Sequence, residues 1–378
     1  MSGIAFIFIF VISFYGGTNI YIAKRLYHGV NWYFSGVNKV LFVCLYAFFA
    51  LTLLLGFLPL PWGIDRTMRV IGSYWIGIYM YMGLLFIVAD LLIFLGRAAH
   101  IIHRTTLNGI RFYSALTVVL LTAAIIFYGV HNADNIKHVS YEVDFNEPAV
   151  SGMKIVLISD LHLGAVKSEE RLESIVQAIN DLKPGIVCMA GDIFNDDINA
   201  VRDPDRVTAL FKSIEAEYGV YACLGNHDGG RTTGKIMDLL EKSNITLLND
   251  DYRIIDGRLA LFGRLDSRPI GGFGELSRRD ITETIDSVGA NMPVIVMDHN
   301  PSKIADYSSK VNMILSGHTH RGQIFPGSLV TRVMYTVDYG HYQKDADSPH
   351  VIVTSGVSTW GPPMRIGTNN EIVSIVLR

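Results

Sequence analysis

Hydrophobic residues in this chain fall into two regimes. In the first third they form long, nearly unbroken runs centred on Ile4 to Ala23, Val40 to Leu60, Val70 to Leu95 and Phe112 to Val130. About 20 residues cross a hydrocarbon core, so each run predicts a membrane-spanning helix, four in all. From about Asn132 onward the runs shorten and charged residues spread evenly between them. The boundary falls near 131–140, which gives a four-helix transmembrane domain over 1–135 and a second domain over 136–378.

In the second domain the pattern becomes strand, turn, helix, repeated. The run MKIVLISD ends at Asp160, and SEERLESIVQAIND then places Leu172, Ile175, Val176 and Ile179 at helical spacing. GIVCMAGD ends at Asp192 and is followed by a helix with Val207, Leu210, Phe211 and Ile214 on one face. GVYACLGNHD is a third strand, MPVIVMDHNP a fourth and VNMILSGHTH a fifth. Continuous apolar runs of this kind belong to strands covered on both faces, and helical crossovers between them predict a layered α/β arrangement.

Composition supports the division. Half of the 378 residues are hydrophobic and 18% are charged, with a mean hydropathy of +0.31, too apolar for an ordinary soluble chain of this length. Lys24, Arg25 and Lys39 mark the first connection, and Arg97, Arg104 and Arg111 the third. The second carries Arg66 and Arg69, partly offset by Asp65. By the positive-inside rule the first and third connections are cytoplasmic, so an integral protein of the plasma membrane with an extracytoplasmic second domain is expected. Trp32, Tyr33 and Trp62 fall where interfacial aromatics belong. Met1 to Phe6 has no Lys or Arg, which argues against a cleaved signal peptide. Cys44, Cys188 and Cys223 imply no disulfide framework. A net charge of −3 provides no basic footprint, which excludes nucleic acid as the expected partner.

Each of the five strands finishes in a residue able to bind a metal. Sites in parallel sheets assemble in the loops at the carboxyl ends of strands, so Asp160, His162, Asp192, Asn226, His299, His318 and His320 are expected to converge. The alternative is a set of satisfied polar residues at strand ends. Seven O and N donors exceed the usual four of one zinc but suit two ions sharing a carboxylate, with Asp192 giving one oxygen to each. Two such ions about 3.5–4 Å apart form a clamp for phosphate ester hydrolysis.

The blocks DLH at 160–162, GD at 191–192, GNHD at 225–228, His299 and GHTH at 317–320 stand in the order of the calcineurin-like metallophosphoesterases. The chain resembles that family over roughly 153–378, and its tail and apolar leader resemble the membrane-associated bacterial branch. That branch often reads GHTHGGQ where this chain has Arg321, a residue suited to bidentate phosphate contact or to a solvated loop.

The resemblance implies a calcineurin-like four-layer α/β sandwich. It also implies two divalent ions, with manganese first and iron or zinc as alternatives. One ion would be held by Asp160, His162, Asp192 and His320, the other by Asp192, Asn226, His299 and His318. A hydroxide bridging the ions would attack phosphorus. Asn226 would stabilise the developing charge, His227 would serve as general acid, and Asp228 would orient and charge His227.

The anchor implies membrane lipids as partners and a lipid or lipid-linked substrate. A tethered nucleotide or cyclic-nucleotide phosphodiesterase and a non-catalytic membrane sensor are the alternatives. Three further features stand outside this scheme. The H-x-x-H pair His100 and His103 and the residues His131 and His138 read as loop and linker. Asp90, inside the third run, is expected to have either a function or a polar partner such as Thr18 or Asn19. The stretch GQIFPGSLVTRVMY, 322–335, reads either as a core element or as an apolar lip beside the site.

Overall fold

The structure is a computed structural model describing residues 3–378 except 59, 146, 167 and 196, with the side chains of 3–9 and of Trp62 outside the description. The chain divides into two compact units, Met1–Gly129 and Val130–Arg378.

The apolar runs form helices α1 (Gly3–Tyr33), α2 (Lys39–Leu55), α3 (Ile64–Ala98) and α4 (Leu107–Ala133). Asn38 caps α2 by accepting a hydrogen bond from Leu41 N at 3.1 Å. Among the described residues two helical stretches, Ile64–Ala98 and Arg104–Ala133, are long and apolar enough to cross a membrane. Helix α2, with 17 residues, falls just short of the ordinary spanning length.

Asp90 finds neither Thr18 nor Asn19. Its Oδ1 lies 2.9 Å from Arg25 Nη2 and its Oδ2 accepts from the Tyr21 hydroxyl at 2.6 Å. Thr18 pairs with the Tyr79 hydroxyl, and Asn19 Oδ1 accepts from Tyr46. An ion pair offsets part of the cost of a carboxylate among apolar side chains. Arg25, expected in a connection, thus lies in α1 with its guanidinium turned into the helical unit. Trp32 and Tyr33 end α1 with their rings 5.4 and 5.0 Å from Phe112.

The second unit contains two six-stranded sheets. The first has the order β1 (Ile136–Val143), β12 (Asn370–Leu377), β2 (Lys154–Ile158), β3 (Ile186–Ala190), β4 (Val220–Cys223) and β5 (Ile245–Leu247). The second has the order β10 (Gly340–Tyr342), β11 (His350–Val353), β9 (Met313–Ser316), β8 (Val294–Met297), β7 (Leu259–Gly263) and β6 (Asp251–Ile255). Strands β2, β3 and β4 are parallel, as are β8 and β9.

Alternation assigns each buried run to two cores at once. Ile155, Leu157, Ile186, Cys188 and Ala190 face the inter-sheet core with Ile295, Met297, Met313 and Leu315. Val156, Ile158, Val187 and Met189 face outward, under helices α5 (Ser168–Asp181), α6 (Pro204–Lys212) and α7 (Thr233–Lys242). Helix α8 (Thr282–Gly289) covers the far face of the second sheet with Ile285 against a cluster containing Phe262, Val296 and Ile314. The result is the expected four-layer sandwich, helix on sheet on sheet on helix.

Two segments depart from the sequence expectation. His138 is no linker residue but lies in β1, which pairs in parallel with β12 along eight residues, while His131 ends α4. Strand β1 is half exposed and polar at alternate positions, so it lacks the continuous apolar run that marks its neighbours. Residues 327–334 form helix α9 (Gly327–Met334), whose apolar side chains are exposed rather than in the core.

Candidate metal centre

Five strand ends supply the site, three from the first sheet and two from the second. Asp160 and His162 follow β2, Asp192 follows β3 and Asn226 follows β4. His299 follows β8, while His318 and His320 follow β9. At these ends the backbone leaves the strand abruptly: Asp160, His162, Asp192, His318 and His320 all have φ between 45° and 70°. Non-glycine residues held there cost roughly 1–3 kcal/mol each, which the surrounding structure must offset. Hydrogen bonds between the loops help to do so. Asp160 N donates to Gly191 O, His162 N donates to Asp192 O and Gly317 N donates to His299 O.

The sheets also interlock. The His318 amide donates to both Asp160 carboxylate oxygens, at 3.2 and 3.1 Å. His299 Nδ1 lies 2.7 Å from Ala190 O, which turns Nε2 toward Asp192. Glycine is required where these chains meet. A Cβ at Gly225 would stand 2.9 Å from Asp192 Cγ, and one at Gly317 would stand 2.6 Å from Ser159 Cβ.

Six of the seven sequence-predicted ligands gather here, and Asn226 adjoins them in the turn whose His227 amide binds Asp192. Asp160, His162 and His320 form one cluster and Asp192, His299 and His318 another, each with ligand atoms within 4.8 Å of one another. In the first, His162 Nε2 is 3.1 Å from His320 Nε2 and His320 Nε2 is 3.3 Å from Asp160 Oδ1. Asp192 joins the two through a single oxygen, its Oδ2 lying 3.1 Å from His299 Nε2 and 3.7 Å from His162 Nε2. The other carboxylate oxygen has a protein donor of its own. Asp192 Oδ1 accepts from the His227 amide at 2.8 Å, while Oδ2 is the oxygen nearest the histidines of both clusters.

The electrostatics fit a bound cation. Burial pushes the Asp160 and Asp192 carboxyls up, yet His320 and His162 around the first and His299 beside the second hold both well below the ordinary range. Two ionised carboxylates are therefore buried together. His299 is opposed by burial, but Asp192 and Asp160 hold its pKa well above the usual value; the field that favours a proton there favours a metal ion. Burial, aided by His299, pushes His318 down to about 4. Burial also pushes His320 far down, with His162 adding to the effect and Asp160 opposing it. Both are thus neutral donors. Among the described residues, His299 Nε2, Asn226 Oδ1 and His162 Nδ1 are buried without a hydrogen-bond partner, an expensive state that metal coordination through His299 and Asn226 would relieve at two of the three.

His227 stands beside the first cluster, its ring 5.1 Å from that of His162 and 5.5 Å from that of Trp360. The Asp228 carboxylate is held by three backbone amides. Its Oδ1 accepts from Phe194 N, and its Oδ2 accepts from Gly225 N and Ile193 N. The carboxylate thus braces the loops presenting Asp192 and His227, while burial and the neighbouring Asp192 push it up to about 7. Arg321 stacks its guanidinium 4.2 Å from the Tyr339 ring centre. His100 and His103 are exposed and join no cluster among the described residues.

Sequence reasoning missed Arg365, Asp298 and Trp360. Arg365 is fully buried and donates to His320 O, Ser355 O, Ser358 O and Asn370 Oδ1 at 2.6–2.8 Å. Asp298, next to His299, is gripped by both terminal nitrogens of Arg278 and by the Tyr307 hydroxyl. Trp360 and Arg365 lie in the tail and Asp298 beside His299, but only the tertiary structure shows what each of them touches.

Comparison with known proteins agrees with the geometry. Residues 153–322 match the calcineurin-like phosphoesterase family. A Danio rerio transmembrane protein with metallophosphoesterase domain is 27% identical over 71% of this chain, and the match spans 63% of the relative's own length. An uncharacterized metallophosphoesterase of Campylobacter jejuni is 26% identical over 97% of both chains. The uncharacterized metallophosphoesterase YkuE of Bacillus subtilis is 30% identical, covering 60% of this chain and 79% of the relative. The chain belongs to the calcineurin-like metallophosphoesterases.

Proposed function

We propose that this chain is a membrane-anchored phosphohydrolase that cleaves a phosphoester or pyrophosphate bond of a lipid or lipid-linked substrate. The observation that carries the hydrolytic reading is the pair of buried ligand clusters sharing Asp192 Oδ2. Asp160, His162, Asp192 and His320 would hold one divalent ion, and Asp192, Asn226, His299 and His318 the other. When bound, such a pair supplies Lewis acidity toward phosphate oxygens and an activated water for attack on phosphorus. Mixed nitrogen, carboxylate and amide donors accept manganese, iron or zinc, and availability selects among them.

The remaining steps belong to the protein. His227 donates a proton to the departing oxygen from beside the first cluster. Asn226 orients the phosphoryl group, and Asp228 fixes the turn carrying both residues. Two sufficiently apolar helices support the anchor, with α1 and α2 completing a four-span unit in this proposal. Lys24 and Lys39 on the helices flanking the first connection, and Arg97, Arg104 and Arg111 around the third, support an extracytoplasmic catalytic unit even with Arg25 paired to Asp90. The anchor and the apolar residues beside the metal centre support a lipid substrate.

The test is hydrolysis by the full-length protein in detergent with manganese, offered phospholipids, lipid-linked phosphates and nucleotides. Asp192→Asn runs in parallel with its metal content measured. Turnover of lipid phosphates that is lost with the metal in Asp192→Asn supports the proposal. Turnover of nucleotides alone overturns the lipid assignment, and a metal-loaded protein that turns over nothing overturns the catalytic one.

A further inference from the structure

Helix α9 has its polarity inside out. Ser328 and Thr331 face the domain, and Thr331 Oγ1 donates to Asp338 Oδ2 at 2.9 Å. Leu329, Val330, Val333 and Met334 project outward, with Val333 87% and Met334 68% exposed. A surface helix in water carries the opposite pattern, and neighbouring exposed apolar side chains mark an interaction surface.

The helix is tied to the metal centre. Asp338, which binds Thr331, also accepts from Thr319 Oγ1 through its carbonyl, and Thr319 lies between His318 and His320. Tyr335, just past the helix, packs edge-on to His318 with ring centres 6.1 Å apart. Two more exposed apolar residues touch other parts of the site. Trp360 lies beside His227 with its backbone fastened at both ends to Gln323, and Ile270 N donates to Asn226 O. Segments bearing exposed apolar side chains thus adjoin the centre at three points: Tyr335 after α9 at His318, the Trp360 ring at His227 and the Ile270 backbone at Asn226. Exposed arginines, Arg332 on α9 and Arg268 beside Ile270, accompany them.

We propose that this rim docks on the surface of a lipid leaflet, its apolar side chains entering the acyl region and its arginines meeting lipid phosphates. The occupant is a bilayer for three reasons. The side chains are aliphatic and aromatic, the accompanying charges are cationic, and the chain carries two helices long and apolar enough to cross a membrane. Docking would deliver head-group phosphates to the metal centre without lifting the lipid into water. This deepens the lipid assignment above and rests on it only for what is cleaved.

The test does not depend on hydrolysis. Full-length protein carrying Cys44→Ser, with Cys188 and Cys223 buried, receives a single bimane at Val333→Cys. A second preparation carries it at Lys242→Cys, on the exposed end of α7. Both enter nanodiscs of phosphatidylethanolamine and phosphatidylglycerol, with or without doxyl-labelled acyl chains, after bound metal confirms an intact centre. The expected result is loss of bimane emission on doxyl lipid at 333 and none at 242.

Unquenched emission at 333 overturns the proposal, including the case in which a blue shift and two chains per disc reveal a second copy on the rim. As an independent variant, Val333→Asp should raise the KM for a lipid phosphate about tenfold, the equivalent of one buried aliphatic side chain. An unchanged KM overturns productive docking. Quenching without any lipid turnover would leave the surface assigned and the substrate reading wrong.

Discussion

His299 Nδ1 stands 2.7 Å from the carbonyl oxygen of Ala190, so a histidine carried by the second sheet is aimed by a backbone atom of the first. With that nitrogen directed at the carbonyl, Nε2 faces Asp192 Oδ2 at 3.1 Å. A partner on the far ring nitrogen fixes the orientation of a metal-binding imidazole. The centre therefore exists only when the two sheets are packed together.

Metal removal should accordingly loosen the catalytic unit as well as silence it. A ligand that binds only the folded state stabilises it by mass action. Dialysis against a chelator is expected to abolish phosphoester hydrolysis and to lower the melting temperature, and manganese, iron(II) or zinc should restore both. Calorimetry with and without metal checks this; an unchanged melting temperature would place the ions elsewhere.

Replacing His227 should separate chemistry from metal binding. His227→Asn is expected to lower kcat by about 10²–10⁴ for an ester with an alkoxide leaving group. The loss should be much smaller for a nitrophenolate, which departs without a proton. Metal content should stay at the wild-type level, because the side chain is outside both ligand clusters. An equal loss for both esters would remove the general-acid role.

Gly317 should tolerate no side chain. A Cβ there would stand 2.6 Å from Ser159 Cβ and would also meet Asp160 Oδ2, and such overpacking costs about 1–3 kcal/mol. Gly317→Ala is expected to keep the fold by circular dichroism while losing metal, since Asp160 must move. Full metal retention would show that the two loops yield.

Arg365→Met is expected to be more damaging than any single ligand change. It would strip the carbonyls of His320, Ser355 and Ser358 of their donor, costing about 3–5 kcal/mol. For a unit of this size that corresponds to a fall in melting temperature of roughly 10 °C or more. Thermal melts of the metal-free proteins isolate this effect from metal loss.

The ligand set was legible because each ligand closes an apolar run. MKIVLISD, GIVCMAGD and VNMILSGHTH each declare a buried strand and a polar end, and buried polar ends in a parallel sheet need something to bind. Asp90 shows the opposite case. Its cost inside an apolar helix was visible, yet its partner, Arg25, lies 65 positions away in the chain and was counted as a loop charge.

What the sequence determined by itself was local: which runs are apolar, with what period, and which chemistry stands at their ends. These are consequences of solvation and backbone geometry within a few residues. Tertiary structure decided that the five strands belong to two sheets. It decided that Asp192 turns Oδ2 toward the histidines of both clusters while Oδ1 accepts from the His227 amide. It also decided that Arg365 is wholly buried and that the apolar residues of α9 point outward. Each depends on a contact between segments remote in the chain, and periodicity says which side of an element is apolar but not what that side meets.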